Sequence, residues 1–471
     1  MYSSSRHGLG FYRSLANTCR YVVPLQLLVG RSVCQILRVA VANVVLQTAS
    51  LSVGIGGSQL SKAFFTPVHS LNLENHFECV EIATKDSQDL DTRLLHILED
   101  CHDKLWPDIA NRPPWKVIAV VNSEPAQGSL HVDVVFALHH AIGDGRTSAL
   151  FHTRLLDELT LPSGQPPQLS GHMLDVSAKP PLVRPQEEVI NFSTSWRFLL
   201  NVLWHEFAPA WLRGKPAEVP WTGKPVAQEP FRTKLRLIEM SPTATSRLLS
   251  SCRAHKTTLT PMLHAQVLAS LSQHLPAATA TVFRGSTPVD LRPFASGEEQ
   301  SSSLVGSMGV FVTSQTHDFG SSTVARIRQV EYAEEDVWRI AAELRKDMKM
   351  RLDSIPEDDI SGMLGWVGNW SQFWVSKVGK PRETTWEVSN IGSMYGVSSN
   401  RDRKDGMGEP GWQIRRSILS QGATVAGAAI AISVSGIAKG AICMALTWQE
   451  GIVDNGIIDK LAADLSKINS A

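Results

Sequence analysis

The run Leu138-His139-His140-Ala141-Ile142-Gly143-Asp144-Gly145 concentrates residues able to do proton chemistry. A histidine can serve as a general base because its unperturbed pKa, about 6.5, lies near neutral pH. It must then be neutral, oriented and open to substrate. Asp144, four positions after His140, could fix the turn that aims the ring, and Gly145 leaves room for close backbone approach. Other uses of the same residues stay open at this level. Asp144 could cap a following helix, and His139 could be a satisfied core residue at a strand end. A metal site from His139, His140, Asp144 and His152 follows no recognised ligand spacing. The chain has no G-x-S-x-G elbow and no G-x-x-x-x-G-K-[ST] loop. Gly54-Ile55-Gly56 begins like a dinucleotide loop but lacks the third glycine in place.

The motif sits where a buried strand gives way to a helix, a junction suited to facing a cleft. Ser129 to His139 reads as that strand, with Leu130, Val132, Val134, Phe136 and Leu138 on one face. Arg146 to Leu159 reads as the helix. Trp115 to Val121 reads as a partner strand, joined through the polar loop Asn122 to Gly128 as an antiparallel hairpin. Leu51 to Ile55 and Glu78 to Ile82 read as short strands, and Asp91 to Lys104 as a helix.

Prolines recur from Leu161 to Pro230, which marks a connection with one embedded helix near Ser195 to Leu212. Regular structure resumes with a strand over Arg232 to Glu239 and a helix opened by Ser241-Pro242. Thr260-Pro261 repeats that device before Met262 to Leu275. Strands are expected over Thr281 to Val289 and Trp386 to Ile391. A hairpin-like pair, Ala428 to Ser435 and Ala441 to Gln449, follows. Glu331 to Leu352 and Ile457 to Ile468 read as helices. The expected organisation is a first lobe over 1–160, a connection over 161–230 and a second lobe over 231–471, of mixed α/β (α+β) class.

Lys and Arg number 45 against 45 Asp and Glu, and this balance argues against nucleic acid as a partner. The six cysteines are scattered without a C-x-x-C pair, so unpaired thiols in a reduced, intracellular setting are expected. Tyr21 to Gly30 has the apolar character of a short signal-peptide core without a clear cleavage site after it. Ser417 to Ala438 is long enough to span a bilayer, but its Gly, Ala, Ser and β-branched content fits a pair of buried strands better. Ser195 to Leu212 is aromatic and amphipathic, suited either to packing on the protein or to resting on a membrane surface.

The His-His-x-x-x-Asp-Gly signature resembles the CoA-dependent acyltransferase superfamily of chloramphenicol acetyltransferase, the BAHD enzymes and peptide-synthetase condensation domains. Further stretches narrow the resemblance to the alcohol acetyltransferase family best known from fungi. They are Arg6-His7-x-Leu9-Gly10-x-Tyr12 with Cys19-Arg20-Tyr21, Pro114-Trp115-Lys116, Thr260-Pro261, Pro288-Val289-Asp290-Leu291-Arg292-Pro293 and Ser389-Asn390-Ile391-Gly392. Members usually carry some additional residues ahead of the Arg-His stretch.

The resemblance implies two chloramphenicol-acetyltransferase-like lobes with a central tunnel, acyl-CoA entering from one side and the acceptor from the other. His140 would be the general base and His139 a supporting residue. Asp144 would be structural, paired in a salt bridge with Arg292, and Gly145 would be part of the motif backbone. Ser389 and Asn390, and less so Ser433 and Ser435, are candidates for tunnel or oxyanion donors, though ordinary strand hydrogen bonding would also account for them. The implied reaction is acetyl transfer from acetyl-CoA to an alcohol hydroxyl, without a covalent enzyme intermediate. No permanently bound cofactor and no metal are expected. N-acetylation of an amine such as a sphingoid-type amino alcohol uses the same parts. A secondary-metabolite acyltransferase, a condensation-type enzyme and a non-catalytic relative are the remaining alternatives. The family-level expectations are a monomer and a cytoplasmic location, with peripheral contact to endoplasmic reticulum or lipid droplets.

Overall fold

The computed structural model describes residues 2–28, 30–57, 63–126, 129–161, 167, 169–207, 218–296, 304–329, 334–398 and 411–468; the side chains of 125, 126, 129 and 205–207 are not described. Two sheets organise the mixed α/β chain into two lobes. The first sheet has the strand order Gln413–Gln421, Leu15–Pro24, Ser129–Leu138, Trp115–Ala126, Phe77–Ile82. The second runs Thr233–Met240, Ile442–Gln449, Ile430–Ile437, Trp386–Met394, Phe283–Asp290, Val312–Phe319.

In the first sheet, Leu130, Val132, Val134, Phe136 and Leu138 all enter one core with the helices Val33–Leu46 and Gly145–Thr160. Val135 and Ala137 point to the opposite face, against Leu90, Leu94 and Leu98 of the helix Ser87–Asp103. A strand covered on both faces reads as a continuous apolar run, which is why this one stands out in the sequence. Burial of each of those leucines stabilises the layer by about 1.5–3 kcal/mol, and Leu94→Ala would cost about 2–5 kcal/mol. Asp86 starts the helix by accepting from the Gln88 N–H at 2.8 Å.

The strand Gln413–Gln421 lies late in the chain yet pairs antiparallel with Leu15–Pro24 in the first sheet. Arg20 and Arg416 face each other in that pairing. Asp91 accepts from both, at 3.0 Å from Arg20 and 2.6 Å from Arg416, and Asp133 takes Arg20 at 2.8 Å. Two like charges in register are thereby neutralised rather than repelling. Ser417 to Ala438 does contain two buried strands, as expected, but they join different sheets. No helix of the described residues is long and apolar enough to cross a membrane.

One face of the second sheet, carrying Trp386, Val388, Ile430, Ile432 and Leu446, packs on the helices Leu259–His274, Glu334–Ser354 and Asn455–Ser466. Residues of alternate parity, Glu387, Ser389 and Ile391 with Ser433 and Ser435, form the other face. Ser435 Oγ donates to the Ser417 carbonyl at 2.8 Å and accepts from Leu419 N–H at 2.9 Å, so this face meets the strand lent to the first sheet.

Several sequence expectations change in detail. The strand read as ending at Val121 continues to Ala126 through the polar Asn122, Ser123 and Glu124, which carry no apolar alternation. Leu51 and Ser52 belong to a short 3-10 turn, and the strand begins at Val53. The helix Leu259–His274 starts two residues earlier than expected, with Thr258 rather than Thr260 at its N-cap. The helix Val33–Leu46 and the strands Leu15–Pro24 and Val312–Phe319 were not anticipated. The expectation of six unpaired cysteines fails at Cys34 and Cys79, which form a disulfide between the helix Val33–Leu46 and the strand Phe77–Ile82. The two are 45 residues apart, and tertiary packing alone brings them together.

Candidate active site

Leu138 ends its strand, and the chain turns through His139–Asp144 into the helix Gly145–Thr160. The turn is fixed from within and from outside. Within it, Ile142 N–H donates to the His139 carbonyl at 3.1 Å, and Ala141 N–H donates to His139 Nδ1 at 2.9 Å. The second bond leaves the His139 proton on Nε2, which is buried without a partner. Asp144 caps the helix by accepting from Thr147 N–H at 2.8 Å.

From outside, Arg292 donates Nη1 to Asp144 Oδ2 at 2.9 Å and Nη2 to Oδ1 at 3.1 Å. Phe311 N–H adds a third bond to Oδ2 at 3.0 Å. The remaining Arg292 donors go to the carbonyls of Ser307 and Gly309 and to Asp290. Asp144 and Arg292 are 4% and 1% exposed, so a bidentate charged pair with satisfied neighbours is buried between the lobes. The helix-capping use of Asp144, left open by the sequence, holds together with the salt bridge.

Gly145 explains the glycine of the motif. A Cβ there would come within 2.7 Å of Ile391 Cγ2 on the strand Trp386–Met394. The motif helix thus touches the second sheet at the stretch Ser389-Asn390-Ile391-Gly392. Asn390 is already engaged: its Nδ2 donates to Thr260 Oγ1 at 3.1 Å and its Oδ1 accepts from Gly392 N–H at 2.9 Å. Ser389 and Ser433 are register partners on neighbouring strands and share the face turned toward the first lobe. Ser433 is fully buried and its hydroxyl has no partner, whereas Ser435 is committed to Ser417 and Leu419.

His140 is half-buried, and its Nδ1 is buried with no hydrogen-bond partner. Burial lowers its pKa; its own carbonyl and Asp144 pull the other way, and Arg6 adds to the lowering. The ring is therefore neutral near pH 7. Asp144 makes no hydrogen bond to it: the carboxylate is spent on Arg292, Thr147 and Phe311.

The N-terminal turn supplies groups that sequence reasoning noted only as part of a resemblance. Gly10, with φ of 72°, lets the chain fold back so that Phe11 N–H reaches the Arg6 carbonyl at 2.7 Å. His7 then lies on His139, ring centroids 4.7 Å apart, and Tyr12 on His140 at 5.8 Å. Arg6 covers the Tyr12 ring at 4.7 Å. Burial pushes the Tyr12 phenol up and lowers His7 to about 4. Glu387, on the facing strand, is raised by burial and bound by Gln421 Nε2 at 3.0 Å. A turn of titratable residues around one glycine, far from the motif in sequence, was the only available signal.

His152 does not join this group. Its Nδ1 lies 3.1 Å from the Tyr21 hydroxyl and its Nε2 2.9 Å from the Asn17 carbonyl. Among the described residues no set of three His, Cys, Asp or Glu could hold a metal ion. A hollow of about 320 Å³ lined by Ser246, Arg247, Glu334 and Trp338 includes no residue of the motif.

The alcohol acetyltransferase family model matches residues 82–464. A probable alcohol acetyltransferase, FCK4, of Fusarium pseudograminearum is 29% identical over 477 residues, covering 98% of this chain and 91% of that protein. The probable alcohol acetyltransferase crmB of Aspergillus fumigatus is 23% identical, covering 83% of this chain and 78% of that one. Among solved structures, the trichothecene 15-O-acetyltransferase TRI3 of Fusarium sporotrichioides superposes with a TM-score of 0.70 at 12% identity, over 99% of this chain and 93% of that one. The family match spans most of the chain, and the protein belongs to the alcohol acetyltransferase family of acyltransferases.

Proposed function

We propose that the protein transfers an acetyl group from acetyl-CoA to the hydroxyl of a small alcohol of the secondary-metabolite type, with His140 as general base. The observation that carries this reading is the state of His140: neutral, half-open, and on a turn that Asp144 and Arg292 hold rigid. Among the described residues no serine or cysteine hydrogen-bonds His140, which supports direct transfer over an acyl-enzyme.

In the reaction, His140 takes the acceptor proton as the acceptor oxygen bonds to the thioester carbonyl carbon. The resulting oxyanion is stabilised by hydrogen-bond donors, and the unpartnered Ser433 and its register partner Ser389 are candidates for this role. Collapse breaks the C–S bond, and the imidazolium returns its proton to the CoA thiolate. Asp144 and Arg292 position the base without exchanging a proton. Both substrates occupy a tunnel between the lobes, and holding them in line contributes much of the rate.

The test is thiol release from acetyl-CoA with a panel of alcohols and amines, beside His140→Ala. Acceptor-dependent release that the variant loses by about 10²–10⁴-fold is expected. Equal release by both proteins would remove His140 as the base.

We further propose peripheral membrane contact through the helix Trp196–Phe207. Trp196, Leu200, Leu203 and Trp204 form one helical stripe, and Trp196 and Trp204 are 79% and 50% exposed. Co-sedimentation with liposomes should be lost when Trp196, Leu200 and Trp204 are all changed to Ser. Unchanged sedimentation would sink this part of the reading.

A further inference from the structure

We infer that Tyr12 is a catalytic residue whose hydroxyl donates a hydrogen bond to the oxyanion formed on the thioester carbonyl. The inference rests on the reading of His140 as base. Buried polar groups in folded proteins are almost always paired, so a buried hydroxyl left unpaired has a hydrogen bond still to give. Tyr12 is 4% exposed and its hydroxyl has no partner. Its nearest aromatic neighbour in the motif is His140, at 5.8 Å between ring centroids. That separation puts the phenol ring beside the proposed base, and in the inferred arrangement the base serves the acceptor oxygen and the phenol the carbonyl oxygen of one tetrahedral centre.

Of the other candidate donors, Ser433 is likewise buried and unpartnered and would act beside Tyr12 on the same oxygen, while two are already engaged. Asn390 is turned to Thr260 and Gly392, and Ser435 to Ser417 and Leu419. Tyr12 is also held for the task. The turn over Gly10 fixes its backbone, and the Arg6 guanidinium lies over its ring. A cation on the ring face strengthens the phenol as a donor, while burial keeps the proton on it. Arg6 lies over two more rings, Tyr2 and Trp374, each at 5.4 Å, which fixes it beside Tyr12. Tyr12 stays protonated throughout: the acceptor proton goes to His140 and then to the thiolate, so no proton is gained or lost at the phenol.

The experiment compares Tyr12→Phe, which removes a single oxygen, with His140→Ala and wild type. Turnover, KM for acetyl-CoA, CoA affinity and thermal midpoint are measured for each. The expected result is a fall in kcat of about 10²–10³-fold in Tyr12→Phe, with KM, CoA affinity and thermal midpoint unchanged. Wild-type kcat in Tyr12→Phe would overturn the inference while leaving His140 intact. A loss confined to CoA affinity, or one that tracks a lower thermal midpoint, would also overturn it by making Tyr12 a packing residue. Full activity in His140→Ala would instead overturn the reading of the base, separately from the outcome at Tyr12.

Discussion

Arg292 and Asp144 are 148 residues apart and meet through two hydrogen bonds, at 2.9 and 3.1 Å, in the interior of the protein. The arginine opens the short 3-10 turn Arg292–Phe294 after the strand Phe283–Asp290, so the motif turn of one lobe is clamped by the other. Removing one member leaves a buried charge without compensation, at a cost of about 3–5 kcal/mol. Arg292→Met should therefore lower the urea midpoint substantially, and Arg292→Met with Asp144→Asn should lose less than the sum of the single changes. Additive losses in the unfolding curves would show that the two residues act independently.

The lowered pKa of His140 places the acid limb of activity. In the proposed role His140 works when neutral, so kcat/KM should rise with pH through an apparent pKa below 6.5 and be flat across neutrality. A limb at or above 6.5 in the pH profile would contradict the burial of this ring.

Gly145 sets the spacing between the motif and the second sheet. Gly145→Ala would push its Cβ into Ile391, and a shift of about 1 Å at a catalytic turn can cost about 10²-fold in rate. Trimming the obstacle with Ile391→Ala should recover part of the loss. Kinetics of the single and double variants decide this, and no recovery would place the effect elsewhere.

Buried histidines make the fold sensitive to acid. His102 is lowered to about 3, and His7, His76 and His152 to about 4, mainly by burial. Between pH 6.5 and about 4 the unfolded chain binds protons at these sites that the native protein does not. Their contribution is fully present above pH 6.5 and is lost as pH falls toward 4, at up to about 1.4 kcal/mol per pH unit for each group. His102 links Ser14 and Ser420 at 2.8 and 2.9 Å. His102→Gln should flatten the dependence of the urea midpoint on pH by about one proton.

Local rules carried the reading of the site as far as one contiguous segment. A doubly buried strand, a cap and a glycine are all encoded within Ser129–Gly145, and they were legible. The partner Arg292 came from the resemblance, since nothing in its spacing points to Asp144. The Tyr12–His140 contact depends on a turn around Gly10 whose neighbours are set by tertiary packing. The Gly, Ala, Ser and β-branched content of Ser417 to Ala438 likewise marked it as strands but could not say that they belong to separate sheets. The Cys34–Cys79 pair failed for the same reason.

The strand Gln413–Gln421 has a consequence for how the protein is made. Its partner Leu15–Pro24 leaves the ribosome early and waits for a neighbour about 400 residues away; at about 5–20 residues per second this lasts roughly 20–80 s. Throughout that interval the first sheet carries an open, unpaired border of the kind that invites pairing with other chains. The nascent protein is thus most exposed to self-association and most dependent on chaperones until Gln413–Gln421 emerges and closes that border.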